Sequence, residues 1–265
     1  MPFVTSKDGT QIGYSVVGTG PAIILVDGAM CSREMGPATP LAEQLKDSFT
    51  VYTYDRRGRG ESGDTKPYST RREIEDLAAV LDAAGGSSGI YAISSGVLVA
   101  LEAADVLSGI TGMVLYEAPI FTDTTRRPVP ADFVERMDRL VAAGDGAGAV
   151  KHFMQNGIMV PWFVLLMMQM FGMFRKMAPV GPTLPYDVAF ASPFWTYKAI
   201  PANRWPNVTM PVLCVGGGKS DRWMQNAQKA IADNLPNARH ETLVGQNHMV
   251  SPAAIAPMIR EFFAS

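Results

Sequence analysis

The stretch Gly89-Ile90-Tyr91-Ala92-Ile93-Ser94-Ser95-Gly96-Val97-Leu98-Val99-Ala100-Leu101-Glu102-Ala103-Ala104 constrains the fold more than any other part of the chain. Ile90 to Ile93 is a short apolar run rich in β-branched and aromatic residues, the pattern of a buried strand. Val97, Ala100, Leu101 and Ala104 recur at helical spacing, so a buried helix follows. Only Ser94-Ser95-Gly96 separates the two. A chain turns that sharply where the residues around the corner are small, and Ala92 and Gly96 stand two places before and after Ser94. This is the G-x-S-x-G elbow with alanine in place of its first glycine. Such a corner lifts the Ser94 hydroxyl clear of its surroundings and aims the first free N–H groups of the helix at a developing oxyanion. A serine helix cap is the plainer reading of the same residues. Ser95 is the rival nucleophile, but Ile93 occupies the place two before it where a small residue is needed.

A chain of 265 residues is long enough for one large α/β domain, or a domain with an insertion. The net charge of −2 offers no electrostatic reason to expect nucleic acid or an anionic membrane as partner. Cys31 and Cys214 lie far apart without metal-ligand spacing, so neither zinc nor a disulfide framework is indicated. With no basic n-region and apolar run at the N-terminus, a cytoplasmic setting is expected. No cofactor or metal is called for.

The remaining pattern alternates strands and helices. Phe3-Val4 and Gln11 to Val17 form a hairpin turning at Asp8-Gly9, and Pro21 to Val26 is a continuous apolar strand ending at Asp27-Gly28-Ala29-Met30. A short helix at Pro40 to Lys46 precedes a strand, Phe49 to Tyr54, and the glycine-rich turn Asp55 to Gly63. Arg71 to Ala84 is an amphipathic helix stopped by Gly85-Gly86. After the elbow come a strand at Met113 to Glu117 and, in the last third, Val212 to Val215, Met224 to Asn234, Glu241 to Val244 and Ile255 to Phe263. This rhythm predicts a mostly parallel sheet with helices on both faces.

Residues 124–207 break the rhythm with helical patterns at Phe133 to Val141, Val150 to Met154 and Trp162 to Met177, and no convincing strand. They are read as a helical cap inserted into a core of residues 1–123 and 208–265. Gly157 to Phe174 carries no charge and is dense in methionine and aromatics. With Pro161 fixing its start, it reaches about 21 Å at ~1.5 Å per residue, short of the ~30 Å of a bilayer core. Methionine adapts to irregular apolar shapes, so this helix is expected to line a pocket, to face a second copy in a homodimer through the cap, or simply to pack in the core. Met159, Trp162, Phe163 and Trp195 are the candidate pocket walls.

Of three histidines, His248 is the candidate base: it stands in Gly245-Gln246-Asn247-His248-Met249, just past a strand and before the last helix. His240 sits in a strand edge and His152 in the cap. A base must come within hydrogen-bond reach of the serine.

Taken together, Asp27-Gly28-Ala29, the turn Asp55 to Gly63, the elbow at Ser94 and Gly-x-x-His at His248 resemble, in that order, the markers of the α/β-hydrolase superfamily. The resemblance covers everything outside the cap. It implies a mostly parallel eight-stranded sheet flanked by helices, a serine nucleophile, a histidine base and a carboxylate orienting it. It also implies an oxyanion hole from the N–H of Ser95 and that of Gly28 or Ala29. In most members the acid follows the strand here at Val212 to Val215, yet this chain has Gly216-Gly217-Gly218-Lys219-Ser220-Asp221. The other familiar place is the end of the strand after the elbow helix, where Glu117 ends an apolar run and is costly to bury unless something needs it. Glu117 is therefore preferred, with Asp221 as the alternative acid and an arginine salt bridge as the structural explanation of Glu117. Asp27-Gly28 where many relatives have His-Gly, Ser-Ser-Gly at the elbow and the glutamate are similar to zearalenone-type lactonases. The expected activity is hydrolysis of an ester or lactone of a bulky apolar small molecule. The competing expectations are non-hydrolytic or carbon–carbon bond-cleaving chemistry, and ligand binding without turnover, since one fold hosts many functions.

Overall fold

The computed structural model describes residues 2–264. Its centre is an eight-stranded sheet in the order β1-β2-β4-β3-β5-β6-β7-β8. The strands are β1 (Phe3–Thr5), β2 (Gln11–Val17), β3 (Ala22–Val26), β4 (Thr50–Tyr54), β5 (Ser88–Ile93), β6 (Ile110–Tyr116), β7 (Val212–Gly217) and β8 (Ala238–Leu243). β1 and β2 pair antiparallel, β2 pairs antiparallel with β4, and all other pairs are parallel.

Alternation along the central strands divides the core into two layers. Ile24, Val26, Ile90, Ala92, Met113, Leu115 and Cys214 face one layer, with α2 (Thr70–Ala83), α3 (Ser95–Ala104) and α9 (Arg222–Asn234). Ile23, Leu25, Tyr91, Ile93, Val114, Tyr116 and Val215 face the other, with α1 (Ala38–Leu45) and α10 (Pro252–Ala264). Strands covered on both faces read as unbroken apolar runs, which is why these segments are so plain in the sequence.

The chain leaves β3 toward β4 on one side and returns to β5 on the other, a switch in winding direction. In open α/β sheets the crevice at the carboxyl ends of the strands beside such a switch is where ligands bind. Here that crevice lies beyond Val26 and Ala92, which are paired in register; Gly28 and Ser94 come next.

Between β6 and β7 the chain is helical among the described residues: α4 (Phe133–Ala142), α5 (Gly146–His152), a π-helical turn over Phe153–Gly157, α6 (Trp162–Met170), α7 (Met173–Met177), a 3-10 segment Ala178–Thr183, α8 (Leu184–Ala191) and a 3-10 turn Ser192–Phe194. These helices enclose a small core of their own around Phe133, Met137, Val150, Leu165, Phe174 and Leu184. The single helix expected over Trp162 to Met177 is broken: Gly172 takes φ 66°, and the helical path bends by 85° between Met170 and Met173. A glycine at positive φ ends a helix without steric cost. α8 is not foreseen in the sequence; its Pro185 lies in the first turn, where the missing N–H would be unpaired anyway.

Candidate active site

Ser94 forms the corner between β5 and α3 at φ 56° and ψ −129°. Such a conformation costs a non-glycine residue about 1–3 kcal/mol and persists only where the surroundings over-determine it. They do so here. The Ser94 N–H donates to Tyr116 O at 2.9 Å, locking the corner to β6. A Cβ at Gly96 would run into Val26 O and lie 2.8 Å from Asp27 O, and one at Gly28 would lie 2.8 Å from Ser94 Cβ. The small residues around the serine are thus required by two backbones converging on it.

Glu117 follows β6 directly, also at positive φ (52°), and is 1% exposed. Its Oε1 accepts the Gly217 N–H at 2.7 Å and its Oε2 lies 2.8 Å from His248 Nδ1. The partners of this buried carboxylate are therefore a histidine and a backbone amide, not an arginine. His248 sits in the loop between β8 and α10, and the Tyr116 hydroxyl holds that loop by donating to Asn247 O at 2.7 Å. A Cβ at Gly217 would lie 2.6 Å from the Tyr116 hydroxyl and 2.7 Å from Gln246 O. Gly217, the last residue of β7, thus leaves no room for a side chain and instead binds the carboxylate coming from β6. The imidazole keeps 36% of its side-chain surface open. Among the described residues no hydrogen bond joins His248 to the Ser94 hydroxyl, and the imidazole's one side-chain partner is Glu117.

Asp221 stands elsewhere, at the start of α9, where its carboxylate accepts from Trp223 Nε1 at 3.3 Å. No hydrogen bond or ion pair links it to His248 among the described residues. The other histidines are engaged apart from the serine: His152 is buried in the cap with Nε2 3.0 Å from Phe133 O, and His240 lies in β8.

A cluster that sequence reading misses ties the loop after β3 to the elbow. Arg59 Nη1 donates to Gly28 O at 2.8 Å, and Arg56 Nη1 reaches Asp27 O at 3.4 Å. Both guanidinium groups converge on Asp187 of α8, which also accepts the Ser95 hydroxyl at 2.7 Å. Arg56 further grips Glu73 with two nitrogens. All of these side chains are buried. Burial alone would raise the Asp187 carboxyl, but Arg59 and Arg56 outweigh it and hold it below the ordinary carboxylate value. Because a trans peptide points its C=O and N–H in opposite directions, fixing Gly28 O also fixes the direction of the Ala29 N–H. The only available signal in the sequence is that Asp187 is the sole acid between Asp145 and Asp221.

Ala29 and Met30 pack against the core of the inserted helices, with Met154, Val160, Met168 and Trp195 on the same cluster. Trp195 touches both this cluster and the main core, stacks on Phe121 at 5.5 Å and donates to Pro119 O at 3.1 Å. Met159 is half-buried. Trp162 and Phe163 depart from expectation: they are 75% and 53% exposed and pack edge to face on each other. A side chain lining an enclosed apolar pocket is not open to water to that degree, because α6 turns only Leu165 fully inward. Among the described residues no three His, Cys, Asp or Glu side chains are gathered as metal ligands would be.

The model of the alpha/beta hydrolase family matches residues 24–258. An alpha/beta hydrolase from Sphaerobacter thermophilus is 44% identical, with 99% of this chain and 100% of that one covered and a TM-score of 0.89. A thermophilic esterase from Thermogutta terrifontis shares the fold at 22% identity, with 99% and 97% covered and a TM-score of 0.72. So does the enol-lactonase from Burkholderia xenovorans, at 19% identity, full coverage of both chains (100% each) and a TM-score of 0.69. The chain belongs to the alpha/beta hydrolase family.

Proposed function

We propose that this protein is a serine-dependent hydrolase that cleaves a carboxylic ester or lactone of an apolar small molecule through an acyl-enzyme on Ser94. The observation that carries this reading is the Glu117–His248 pair, 2.8 Å apart, with Glu117 just past the end of β6, beside the strand β5 that leads into Ser94. Glu117 holds the imidazole so that Nε2 is free to act, and steadies its positive charge. His248 takes the proton from Ser94 as the hydroxyl attacks the carbonyl, and then gives it to the leaving alcohol. Water, deprotonated by the same imidazole, releases the acyl group.

The Ser95 N–H and the Ala29 N–H receive the oxyanion. Anchoring of the Gly28 carbonyl by Arg59 favours Ala29 over Gly28 as the second donor. Ala29 and Met30 of that loop pack on the same apolar cluster as Met154, Met168 and Trp195, surroundings that suit a substrate with a hydrophobic body. The esterase and enol-lactonase among the structural neighbours are compatible with acyl transfer to water.

The test is a panel of p-nitrophenyl esters of rising chain length beside small and macrocyclic lactones, with Ser94→Ala as control. Removing Ser94 or His248 is expected to cost on the order of 10⁶ in turnover if they act as a unit. Retention of more than about a hundredth of the wild-type rate by Ser94→Ala would rule the role out. An organophosphonate that labels Ser94 supports an activated serine. Failure to label points to ligand binding without turnover, and labelling without ester or lactone hydrolysis points to non-hydrolytic chemistry.

A further inference from the structure

We infer that the outer face of α6 and α7 is a docking surface for an anionic lipid bilayer, with the helices lying in the plane of the headgroups. Trp162, Met170 and Phe171 are 75%, 73% and 69% exposed, and Phe163, Leu166 and Met167 are each more than half exposed beside them. Apolar surface this continuous is uncommon on a soluble monomer and marks a site of contact.

The charges around it choose the partner. The chain as a whole carries −2, yet between Asp145 and Asp221 it has one acid, Asp187, which is buried against Arg56 and Arg59. Lys151, Arg175 and Lys176 are exposed on α5 and α7, which pack together, and Lys151 Nζ reaches Gln169 of α6 at 3.4 Å. None of the three forms a salt bridge among the described residues. A second copy docking by two-fold symmetry would set this cationic face, whose helices α6 and α7 carry no carboxylate, against itself. An anionic bilayer satisfies both halves of the surface: tryptophan, phenylalanine and methionine enter the boundary of headgroups and acyl chains while the cations meet phosphates.

Length excludes a crossing. The nine residues of α6 span about 14 Å at ~1.5 Å per residue, against ~30 Å of hydrocarbon. No single described helix is long and apolar enough to span, and the bent pair that reaches sufficient length turns through 85°.

Sedimentation of the whole protein with vesicles tests this, using phosphatidylcholine alone and an equal mixture of phosphatidylcholine and phosphatidylglycerol. The protein is expected to pellet with the mixed vesicles, at least tenfold more tightly than with the neutral ones, and to be released by high salt. Tryptophan emission should shift to the blue on binding, and Trp162→Phe should abolish most of that shift. Arg175→Gln with Lys176→Gln should weaken binding about 25-fold, from about fivefold per cation. Met170→Ser with Phe171→Ser should abolish it while turnover of a water-soluble ester and the melting temperature stay unchanged. Equal binding to both vesicles, or to neither, would overturn the inference. So would light scattering that finds a dimer, separated into monomers by the Met170/Phe171 double variant, in a protein that leaves vesicles untouched.

Discussion

Glu117 accepts the backbone N–H of Gly217 at 2.7 Å, so the glycine that ends β7 braces a carboxylate that β6 delivers. The two strands are neighbours in register, Tyr116 opposite Val215, which brings the two residues together without any loop excursion. The acid's other oxygen meets His248. Glu117→Gln keeps the volume and the Gly217 contact but removes the charge that favours the working tautomer. Turnover should fall on the order of 10⁴. Asp221→Asn, at the start of α9, should leave it within about twofold, as surface changes away from a site do. Steady-state kcat on a p-nitrophenyl ester compares them; an inert Glu117→Gln would reassign the acid.

Asp187 brings a negative charge from the inserted helices to Arg56, Arg59 and the Ser95 hydroxyl. Removing one partner of a buried charge cluster leaves the others uncompensated, which costs about 3–5 kcal/mol. For a chain of this size each kcal/mol lowers the melting temperature by about 2–4 °C. Asp187→Ala should therefore melt about 10 °C lower, and in the folded fraction kcat should drop more than KM rises, because the loop behind Ala29 loses its anchor. Calorimetry and a Michaelis–Menten series check both. A destabilised variant with full kcat would limit Asp187 to stability.

The carboxyl of Asp27 is lifted by burial to about 7, with the Ala38 N–H, Arg59 and Arg56 offsetting only part of that penalty. In the unfolded chain an aspartate titrates near ~3.9. Between these values the folded protein holds a proton that the unfolded chain has released, so this group's contribution to stability falls as pH rises from about 4 to 7 and is level above. Asp27→Asn, which mimics the protonated form, should add at most about 4 kcal/mol of stability at pH 8 and raise the melting temperature there. The gain should shrink toward pH 4. Melting curves across that range decide it, and a gain independent of pH would show that Asp27 is ionised throughout.

The sheet is legible in the sequence because both faces of its central strands are covered. Ile23 to Val26 and Ile90 to Ile93 each present alternate residues to two cores, so every position is apolar. The elbow is legible because only small residues fit where β3 and α3 approach. Glu117 stands out as an acid at the end of such a run, whereas its brace does not, since a backbone N–H leaves no trace in residue type. α8 is hidden by its proline and short length, and with it the role of Asp187 in binding two arginines more than a hundred residues away. The break at Gly172 is hidden for another reason: methionine and aromatic residues continue across it, so composition shows no boundary. Trp162 and Phe163 look like pocket walls in one dimension and prove exposed because α6 is too short and too apolar all round for its pattern to choose a face.

Gly28 offers the most local test of the arrangement around the serine. Its φ is not in the left-handed region, so alanine meets no backbone strain there; the obstacle is steric. A Cβ would sit 2.8 Å from Ser94 Cβ and 3.4 Å from Ser94 Oγ, against backbone held by Arg59 on one side and by the Tyr116 carbonyl on the other. Neither side can yield without moving the hydroxyl or the Ala29 N–H. Gly28→Ala should therefore lower kcat by on the order of 10²–10³, the range seen when one oxyanion donor is lost. KM should change little, because the apolar cluster on which Ala29 and Met30 pack is untouched. The rate of phosphonate labelling, which needs both the serine and the oxyanion donors, should fall in parallel. A variant that labels at the wild-type rate would mean that the loop after β3 yields more readily than its anchors imply.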